Sequence, residues 1–254
     1  MTAPLQTVLI TGAARRIGRA MALDLANHGW QIGIHHHTSA AKAQNLVDEI
    51  KARGGKAATL KADLRNTGQT TGLIKACNEK LGPVSCLINN ASRFENDAAN
   101  DFDIEDWTAH MDINLRAPVL LAKAMTQALP KGMAGNIINM IDQRVWRLNP
   151  GFFSYTLSKS ALWTATRTMA QSFAPDIRVN AIGPGPTLAS KRQNLENFER
   201  QKDALLLKTG PDLEEICTAI RFILATPSMT GQMIALDGGQ HLAWQTPDIA
   251  NIKE

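Results

Sequence analysis

The chain of 254 residues is poor in aromatic side chains, which make up 5% of it, and it has a single tyrosine, Tyr155. It has only three cysteines, Cys77, Cys86 and Cys217, without C-x-x-C spacing. This pattern argues against a disulfide framework or a cysteine-ligated zinc site, and it is typical of reduced thiols in the cytoplasm. No apolar run reaches membrane-spanning length, and the N-terminus lacks the pattern of a secretion signal. We therefore expect a soluble, cytoplasmic protein.

Positive charge is in slight excess, because 27 lysines and arginines against 23 aspartates and glutamates give a net charge of +4. These residues are scattered, so the composition does not favour nucleic-acid or membrane partners, whereas an anionic small molecule is a suitable ligand. The hydrophobic fraction of 44% is ordinary for a globular protein, and a chain of this length can bury one large core.

Short runs rich in β-branched residues alternate with longer segments of helical periodicity. Because strands separated by helix-length segments need crossover connections, the pattern predicts an α/β fold. We expect one Rossmann-type domain over residues 1–254, a doubly wound parallel sheet with helices on both faces, ending in a tail at 245–254. The predicted strands are 7–11, 31–36, 57–62, 85–90, 136–141, 177–182 and 233–237, and the predicted helices are 16–28, 40–53, 67–81, 105–128, 152–173 and 212–225.

The first predicted strand runs into "TGAARRIG", residues 11–18. Gly12 can form a tight turn, and the N–H groups of the following helix can bind an anion. The start of a helix carries partial positive charge and by itself disfavours cations. Arg15 and Arg16 at this place therefore indicate that an anion binds there. An ordinary strand-to-helix turn with solvated arginines remains the alternative.

The second predicted strand ends in "IHHHTSAAK", residues 34–42. It has no carboxylate to bind the ribose 2′-hydroxyl of NAD, whereas His37, Thr38 and Ser39, with Lys42, can donate to a 2′-phosphate. The pattern therefore favours NADP(H) as the cofactor. Three successive histidines also suggest a metal, but alternate side chains of a strand point to opposite faces, and we expect no metal site.

Tyr155 and Lys159 are separated by one helical turn and so lie on one helix face. A nearby ammonium, together with the positive nicotinamide of an oxidised cofactor, stabilises a phenolate, so we expect these two charges to lower the pKa of Tyr155 and to make its proton labile. The alternative is a helix-surface tyrosine beside a solvated lysine.

The chain resembles the short-chain dehydrogenase/reductase family over nearly its whole length. The resemblance rests on landmarks in family order: Thr11-Gly12 with Gly18, Asp63-Leu64, "NNAS" at 89–92, Asn114, Tyr155 with Lys159, "GPGPT" at 183–187 and "LDGG" at 236–239. It implies that Asp63 holds the adenine edge, that Thr187 contacts the nicotinamide amide and that Asn114 helps to relay protons to Lys159. It also implies a homotetramer that buries helices 105–128 and 152–173. The implied cofactor-binding residues are Gly12, Arg15, Arg16, Ile17, Gly18, His37, Thr38, Ser39, Asp63, Leu64, Asn90, Ala91, Ser92, Tyr155, Lys159, Pro184, Gly185 and Thr187.

Two departures from the wider family are similar to its pteridine reductases. Asp142 stands where the family usually has a serine, and Arg16 replaces the middle glycine of the phosphate loop. Further shared features are His37 followed by Ser39-Ala40-Ala41, and Phe94 shortly after "NNAS". The resemblance implies that Tyr155, Lys159, Asp142 and Asn114 are catalytic, and that Arg16, Ser92, Phe94, Asp142 and Tyr155 contact the substrate.

A flat pterin ring fits these residues, because it can stack between Phe94 and the nicotinamide while Asp142 binds its ring nitrogens. Two details depart from the pteridine reductases: Thr38 replaces an arginine, and Arg93 replaces a small polar residue. Residues 188–208 stand at the position of the substrate lid.

Three functions follow from these patterns. The first is an NADPH-dependent reductase of a dihydropterin- or dihydrofolate-type substrate, with Tyr155 as proton donor. The second is a carbonyl or imine reductase of another small cyclic substrate. The third is a non-catalytic NADP-sensing protein, which the retained set of Tyr155, Lys159 and Asn114 argues against.

Overall fold

The computed structural model describes residues 6–189, 194–246 and 249–250 and contains one sheet of seven parallel strands. The strands are β1 (Thr7–Ile10), β2 (Gln31–His36), β3 (Ala57–Lys61), β4 (Val84–Asn89), β5 (Gly135–Met140), β6 (Ile177–Pro184) and β7 (Met233–Leu236). Their order across the sheet is β3-β2-β1-β4-β5-β6-β7, so the chain reverses its winding direction between β1 and β4. Ligands of such sheets bind at the carboxyl ends of the strands beside this reversal.

Helices cover both faces of the sheet, as the alternating pattern predicts. They are α1 (Arg16–Asn27), α2 (Ala40–Ala52), α3 (Thr67–Leu81), α4 (Ile104–Met111), α5 (Ala117–Ala128), α6 (Phe153–Phe173), α7 (Leu195–Asp203) and α8 (Leu213–Ala225). The doubly wound α/β prediction is therefore confirmed.

Alternate residues of the strands face two separate cores. Val8 and Ile10 of β1 pack with α1, α2 and α8, whereas Leu9 packs on the other face, with α3, α5 and α6. Strands buried on both faces read as continuous apolar runs, which explains why "TVLI" does not alternate with polar residues. The result is a rigid sheet whose carboxyl edge carries the polar residues considered below.

The predicted helix 105–128 is interrupted by a π turn, Asp112–Arg116, between α4 and α5. Pro118 explains the interruption. It has no N–H to donate to the carbonyl of Asn114, four residues earlier, and its ring crowds that carbonyl. The periodicity indicates helix on both sides of the turn, but it does not register this local change of hydrogen bonding.

Two predicted segments fall partly outside the described residues. Within the predicted lid at 188–208, α7 is helical as its pattern indicates, while residues 190–193 lie outside the description. Of the predicted tail at 245–254, residues 247–248 and 251–254 lie outside it.

Cys77, Cys86 and Cys217 are unpaired and buried, and burial raises the pKa of each thiol to about 12. No group of three or more histidine, cysteine or acidic residues that could hold a metal ion is found in the described ranges. Among the same residues, none of the helices combines the length and the apolar character needed to cross a membrane.

Candidate active site

The turn between β1 and α1 brings the backbone close to the carboxyl edge of the sheet. Gly12 has a φ of +65°, and a Cβ added at Gly18 would lie 2.5 Å from the carbonyl oxygen of Gly12. Both positions therefore require glycine. The first turn of α1 has no acidic residue, and Arg15 at its N-cap makes no side-chain capping bond. The free N–H groups at this helix start fit an anionic group such as a cofactor phosphate.

The glycine turn is held in place by the end of β4. The hydroxyl oxygen of Thr11 accepts hydrogen bonds from the N–H groups of Asn90 and Ala91, at 2.9 and 3.0 Å. The side-chain amide of Asn90 in turn donates to the carbonyl of Thr11, at 2.8 Å. The predicted cofactor residues of these two strand ends are thus brought together.

His35 supports the same turn and was not among the residues predicted from the sequence. Its Nδ1 accepts a hydrogen bond of 3.1 Å from the N–H of Gly12, which places the ring proton on Nε2, and Nε2 donates to the carbonyl of Ala62 at 3.2 Å. Burial lowers the pKa of His35 to about 4, so the ring is neutral at pH 7.

The region predicted to bind a 2′-phosphate lies at the ends of β2 and β3. His37 and Thr38 are exposed, and Nε2 of His37 lies 3.8 Å from the carboxylate of Asp63. Arg65 binds that carboxylate, its Nη2 donating at 2.9 Å, and this bond is the main cause of a lowered pKa of Asp63. Ser39 is the N-cap residue of α2 but makes no side-chain capping bond. Arg65 is a second residue not predicted from the sequence, and it offsets the negative charge of Asp63 beside His37.

Asp142 and Tyr155 meet in a direct hydrogen bond. The phenol of Tyr155 donates to Oδ2 of Asp142 at 2.9 Å, while Oδ1 accepts from the N–H of Arg144 at 2.8 Å. Burial raises the pKa of the Asp142 carboxyl, against the opposing effect of the Arg144 N–H. The two residues come from the end of β5 and the first turn of α6, so the fold brings together an acceptor and a donor as the sequence predicts.

The electrostatic environment of Tyr155 differs from the expectation that Lys159 lowers its pKa. The protein's own groups raise the pKa of Tyr155 well above its ordinary value, first through burial and then through the carboxylate of Asp142. Lys159 donates a 2.7 Å hydrogen bond to the carbonyl of Met140, and its Nζ lies 5.8 Å from the centre of the Tyr155 ring. Burial lowers the pKa of Lys159 to about 8. Among the cations, it is Arg144 whose charge opposes the rise at Tyr155.

The side chain of Asn114 is buried in the π turn and binds two neighbouring segments. Its Oδ1 accepts from the N–H of Arg93 at 2.9 Å and from the hydroxyl of Ser92 at 3.1 Å. Its Nδ2 donates to the hydroxyl of Ser158 at 3.0 Å. Within the described part of the chain, no hydrogen bond joins Asn114 directly to Lys159, so a relay between them would need an intervening group.

Phe94 lies against two other aromatic rings. It stacks on Phe152 with ring centres 4.3 Å apart and an angle of 2° between the planes, and it meets Tyr155 edge-on at 4.6 Å. The guanidinium of Arg144 lies over the Phe152 ring at 4.9 Å. Phe152 and Arg144 are further residues that the sequence analysis missed. The available signal was their position, three residues before Tyr155 and two after Asp142.

Arg16 and the end of β6 close one side of the site. The guanidinium of Arg16 donates to the carbonyls of Leu188 and Ala189, at 3.0 and 2.9 Å. Gly185 packs so closely on Asp237 that an added Cβ would lie 2.7 Å from its Cα. The predicted substrate and phosphate contact of Arg16 is thus a contact with the chain's own lid segment in this structure.

A cavity of about 580 Å³ joins these groups at the carboxyl edge of the sheet. Of the predicted residues, its lining includes Arg16, Ile17, Asn90, Ser92, Phe94, Asp142, Tyr155, Lys159, Pro184, Gly185 and Thr187. The predicted residues outside the lining are Gly12, Arg15, Gly18, His37, Thr38, Ser39, Asp63, Leu64, Ala91 and Asn114. Of these residues, Gly12, Arg15 and Gly18 belong to the turn between β1 and α1. His37 and Asp63 lie together at the ends of β2 and β3.

Comparison with known proteins agrees with this geometry. The profile of the family described as "short chain dehydrogenase" matches residues 6–200. The chain is 51% identical to FolM alternative dihydrofolate reductase 1 from Brucella canis, solved in complex with NADP. That match covers 96% of this chain and 97% of the other, with a TM-score of 0.94. The protein of the same description from Brucella suis, also in complex with NADP, is 52% identical, over 98% of this chain and 100% of the other, with a TM-score of 0.95. A 3-oxoacyl-(acyl-carrier-protein) reductase from Synechocystis sp. is 33% identical, over 92% of this chain and 96% of its own length.

Proposed function

Because the chain belongs to the short-chain dehydrogenase/reductase family of oxidoreductases, we propose that it reduces a dihydropterin-like substrate with NADPH. The observation that carries this proposal is the hydrogen bond from the phenol of Tyr155 to the carboxylate of Asp142 in a cavity that Phe94 also lines. A simple ketone needs one proton donor beside the reacting carbon. A pterin also has ring N–H groups, and these can donate hydrogen bonds to a carboxylate.

The residues around the glycine turn suit NADP(H). The α1 start and Arg15 fit the phosphates, and no carboxylate lies between residues 34 and 42 to repel a 2′-phosphate. His37, Thr38 and Ser39 would hold that phosphate, while the charge of Asp63 is already offset by Arg65. Both FolM structures contain NADP, which supports this assignment.

Tyr155 is proposed to donate the proton. Bound NADPH supplies a hydride to the substrate. A phenol is protonated at neutral pH, which is the form that a proton donor in the reducing direction needs, although the raised pKa of Tyr155 makes it a weaker acid than an exposed tyrosine. Asp142 orients the phenol, and it can also accept from a substrate N–H, because each of its oxygens has a second lone pair besides the one used by Tyr155 or by the N–H of Arg144. The positive charge of Lys159 lowers the pKa of Asp142 and so favours its ionised form, against the effect of burial.

The substrate ring would lie beside Phe94. A flat aromatic heterocycle suits a cavity whose wall carries stacked rings, since offset stacking adds to the area buried. The Brucella proteins are alternative dihydrofolate reductases, which supports a pterin-type ring.

Reduction of a ketone is the second candidate function. It is favoured by the 33% identity to the 3-oxoacyl-(acyl-carrier-protein) reductase of Synechocystis sp.. The carboxylate of Asp142 weighs against it, because a buried negative charge would face the oxyanion that forms during ketone reduction. An imine substrate would avoid this conflict.

Steady-state NADPH oxidation separates these functions. The panel consists of dihydrobiopterin, dihydromonapterin, dihydrofolate and several cyclic ketones and imines. We expect turnover with at least one dihydropterin and little with ketones. Turnover confined to ketones or imines would favour the second function. NADPH binding without any turnover, unaffected by Tyr155→Phe, would indicate a non-catalytic NADP-sensing protein.

A homotetramer is proposed from the same family resemblance. Val119 on α5 and Leu157 on α6 are exposed apolar side chains on the helices expected to be buried between subunits, which supports the proposal. Light scattering coupled to size-exclusion chromatography would give the mass directly. A monomeric mass would contradict it.

A further inference from the structure

We propose that Asp97, His110 and Ser154 form a buried clamp that fixes the distance between Phe94 and Tyr155. These three are positioning residues for the reaction rather than catalytic ones, because none of them lines the cavity. The inference rests on the proposed function in one respect: it assumes that the substrate ring lies beside Phe94. The clamp itself is argued from contacts that do not involve the substrate.

The clamp begins at the start of α6, which lacks a cap of its own. Its N-cap residue, Phe152, cannot accept a hydrogen bond with its side chain and has a φ of +58°, in the left-handed region. Such a conformation is strained for a bulky residue and needs support from its surroundings. A helix start also leaves N–H groups without partners.

Asp97 supplies the missing cap from 57 residues away in the chain. Its Oδ1 accepts from the N–H of Ser154 at 3.1 Å, and its carbonyl accepts from the N–H of Phe153 at 3.3 Å. Its Oδ2 accepts from the hydroxyl of Ser154. A carboxylate at a helix start is stabilised both by these bonds and by the helix dipole. The first turn of α6, which carries Tyr155, is thus fastened to the segment that carries Phe94.

His110 completes the clamp, and the contacts determine its tautomer. Nε2 accepts a hydrogen bond of 3.1 Å from the N–H of Glu95, so the proton lies on Nδ1. Nδ1 then donates to the hydroxyl oxygen of Ser154 at 2.7 Å, and that hydroxyl donates to Asp97. All the hydrogen bonds therefore run in one direction, from Glu95 through His110 and Ser154 to Asp97.

The clamp is shielded from water. Ser154 and His110 are fully buried, and Asp97 is 9% exposed. In such surroundings each polar atom that loses its partner carries a desolvation penalty, so the arrangement resists partial opening. Burial also lowers the pKa of His110, against the opposing charge of Asp97, which keeps Nε2 free to accept from Glu95.

The clamp spans the two residues on which the site depends. Glu95, whose N–H is bound, follows Phe94 directly, and Ser154 precedes Tyr155 directly. The Phe94 and Tyr155 rings lie 4.6 Å apart, so a small shift of either segment changes where a ring stacked beside Phe94 meets the phenol. Loss of alignment on this scale strongly slows proton and hydride transfer.

The test compares Ser154→Ala with a matched control, Thr166→Val. Thr166 also lies in α6, is fully buried and uses its hydroxyl in two buried hydrogen bonds, one to the carbonyl of Leu162 and one from the amide of Asn139. It lies twelve residues further along the helix, on the order of 18 Å away. Both variants should lower Tm. Asp97→Asn, which keeps the side-chain shape, replaces Ser154→Ala if the latter does not fold.

Hydrogen exchange with NADPH bound is the first readout. Ser154→Ala should speed exchange of the amides of residues 93–97 and 152–155, whereas Thr166→Val should leave both segments unchanged. With a dihydropterin substrate, Ser154→Ala should lower kcat/KM by a factor of about ten or more. Its Kd for NADPH should stay within about twofold of the value for the unmodified protein. Thr166→Val should keep the parental kcat/KM.

Three outcomes would overturn the clamp. Unchanged exchange at 93–97 in Ser154→Ala is the first, and equal changes in Thr166→Val are the second. The third needs no variant: ¹⁵N shifts of His110 in the unmodified protein that show a proton on Nε2. Absence of pterin turnover in the unmodified protein would refute the proposed function alone, because the exchange and ¹⁵N results still decide the clamp.

Discussion

The phenol of Tyr155 donates a 2.9 Å hydrogen bond to the carboxylate of Asp142, the residue thirteen positions earlier in the chain. The carboxylate favours the protonated phenol, so the pKa of Tyr155 is raised where a lone Tyr–Lys pair would lower it. The phenol therefore holds the proton that a reduction would consume, but it holds it more tightly than an exposed tyrosine does.

Replacing Tyr155 by phenylalanine tests the proton donor. We expect kcat for the reduction to fall by a factor of at least about 100, since a positioned general acid contributes on this order. The Kd for NADPH, measured by fluorescence titration, should stay near the parental value. Loss of NADPH binding together with activity would show that Tyr155 is needed for the fold of the site rather than for proton transfer.

Asp142 is tested by two variants with different effects on charge and shape. Asp142→Asn keeps an oxygen that can accept from the N–H of Arg144, whereas Asp142→Ser shortens the side chain. Both should lower kcat/KM for a dihydropterin by roughly tenfold or more, because both remove the negative charge that accepts from the ring N–H groups. Reduction of a simple ketone should fall less or rise. Equal losses on both substrates would assign Asp142 a structural role.

We expect cofactor choice to depend on residues 37 and 38. His37→Asp places a second carboxylate beside the 2′-phosphate position and should reverse or abolish the preference for NADPH over NADH, measured as the ratio of kcat/KM values. Thr38→Arg is the opposite change and should tighten NADPH binding through a bidentate contact. An unchanged ratio in both variants would place the 2′-phosphate elsewhere.

His35 makes the stability of the glycine turn depend on pH. Its pKa is about 4 in the folded protein against an ordinary 6.5, so the unfolded chain binds the proton more tightly. The stabilisation is therefore complete above pH 6.5 and is lost as the pH falls towards 4. Between pH 7 and pH 5 the loss amounts to on the order of 2 kcal/mol in the free energy of unfolding.

Urea unfolding of the parent and of His35→Asn at pH 7, 6 and 5 isolates this contribution. Asparagine can accept from the N–H of Gly12 but does not titrate. The stability difference between the two proteins should shrink on acidification. A difference that is constant with pH would mean that His35 is charged or exposed in the folded protein.

The sequence predicts the fold well because the fold depends on local patterns. "TVLI" and "GNIINM" are apolar runs of strand length, and Gly12 with Gly18 marks a turn that no other residue can form. The predicted pairing of Asp142 with Tyr155 also follows, since strand ends and helix starts meet at one edge of a parallel sheet.

The rest of the site depends on contacts between distant segments. His35 supports Gly12 across 23 residues, whereas Arg65 offsets Asp63 through a local contact between residues two positions apart. The left-handed φ of Phe152 runs against the ordinary preference of phenylalanine, so a local pattern would not predict it. Among the protein's own groups, burial and the carboxylate of Asp142, which comes from another element, outweigh the effect expected of Lys159 one helical turn away.

The π turn before Pro118 sets how far α4 is rotated about its axis relative to α5. One additional residue in a helical turn rotates the preceding helix by about 100° relative to an unbroken one. A straight helix from 104 to 128 would therefore present a different stripe of α4 to α6, and His110 would no longer face Ser154. The missing N–H of Pro118 thus helps to determine which side chains of α4 meet α6. A variant that replaced the π turn by regular α-helix, for example to raise thermostability, would break the contact between His110 and Ser154.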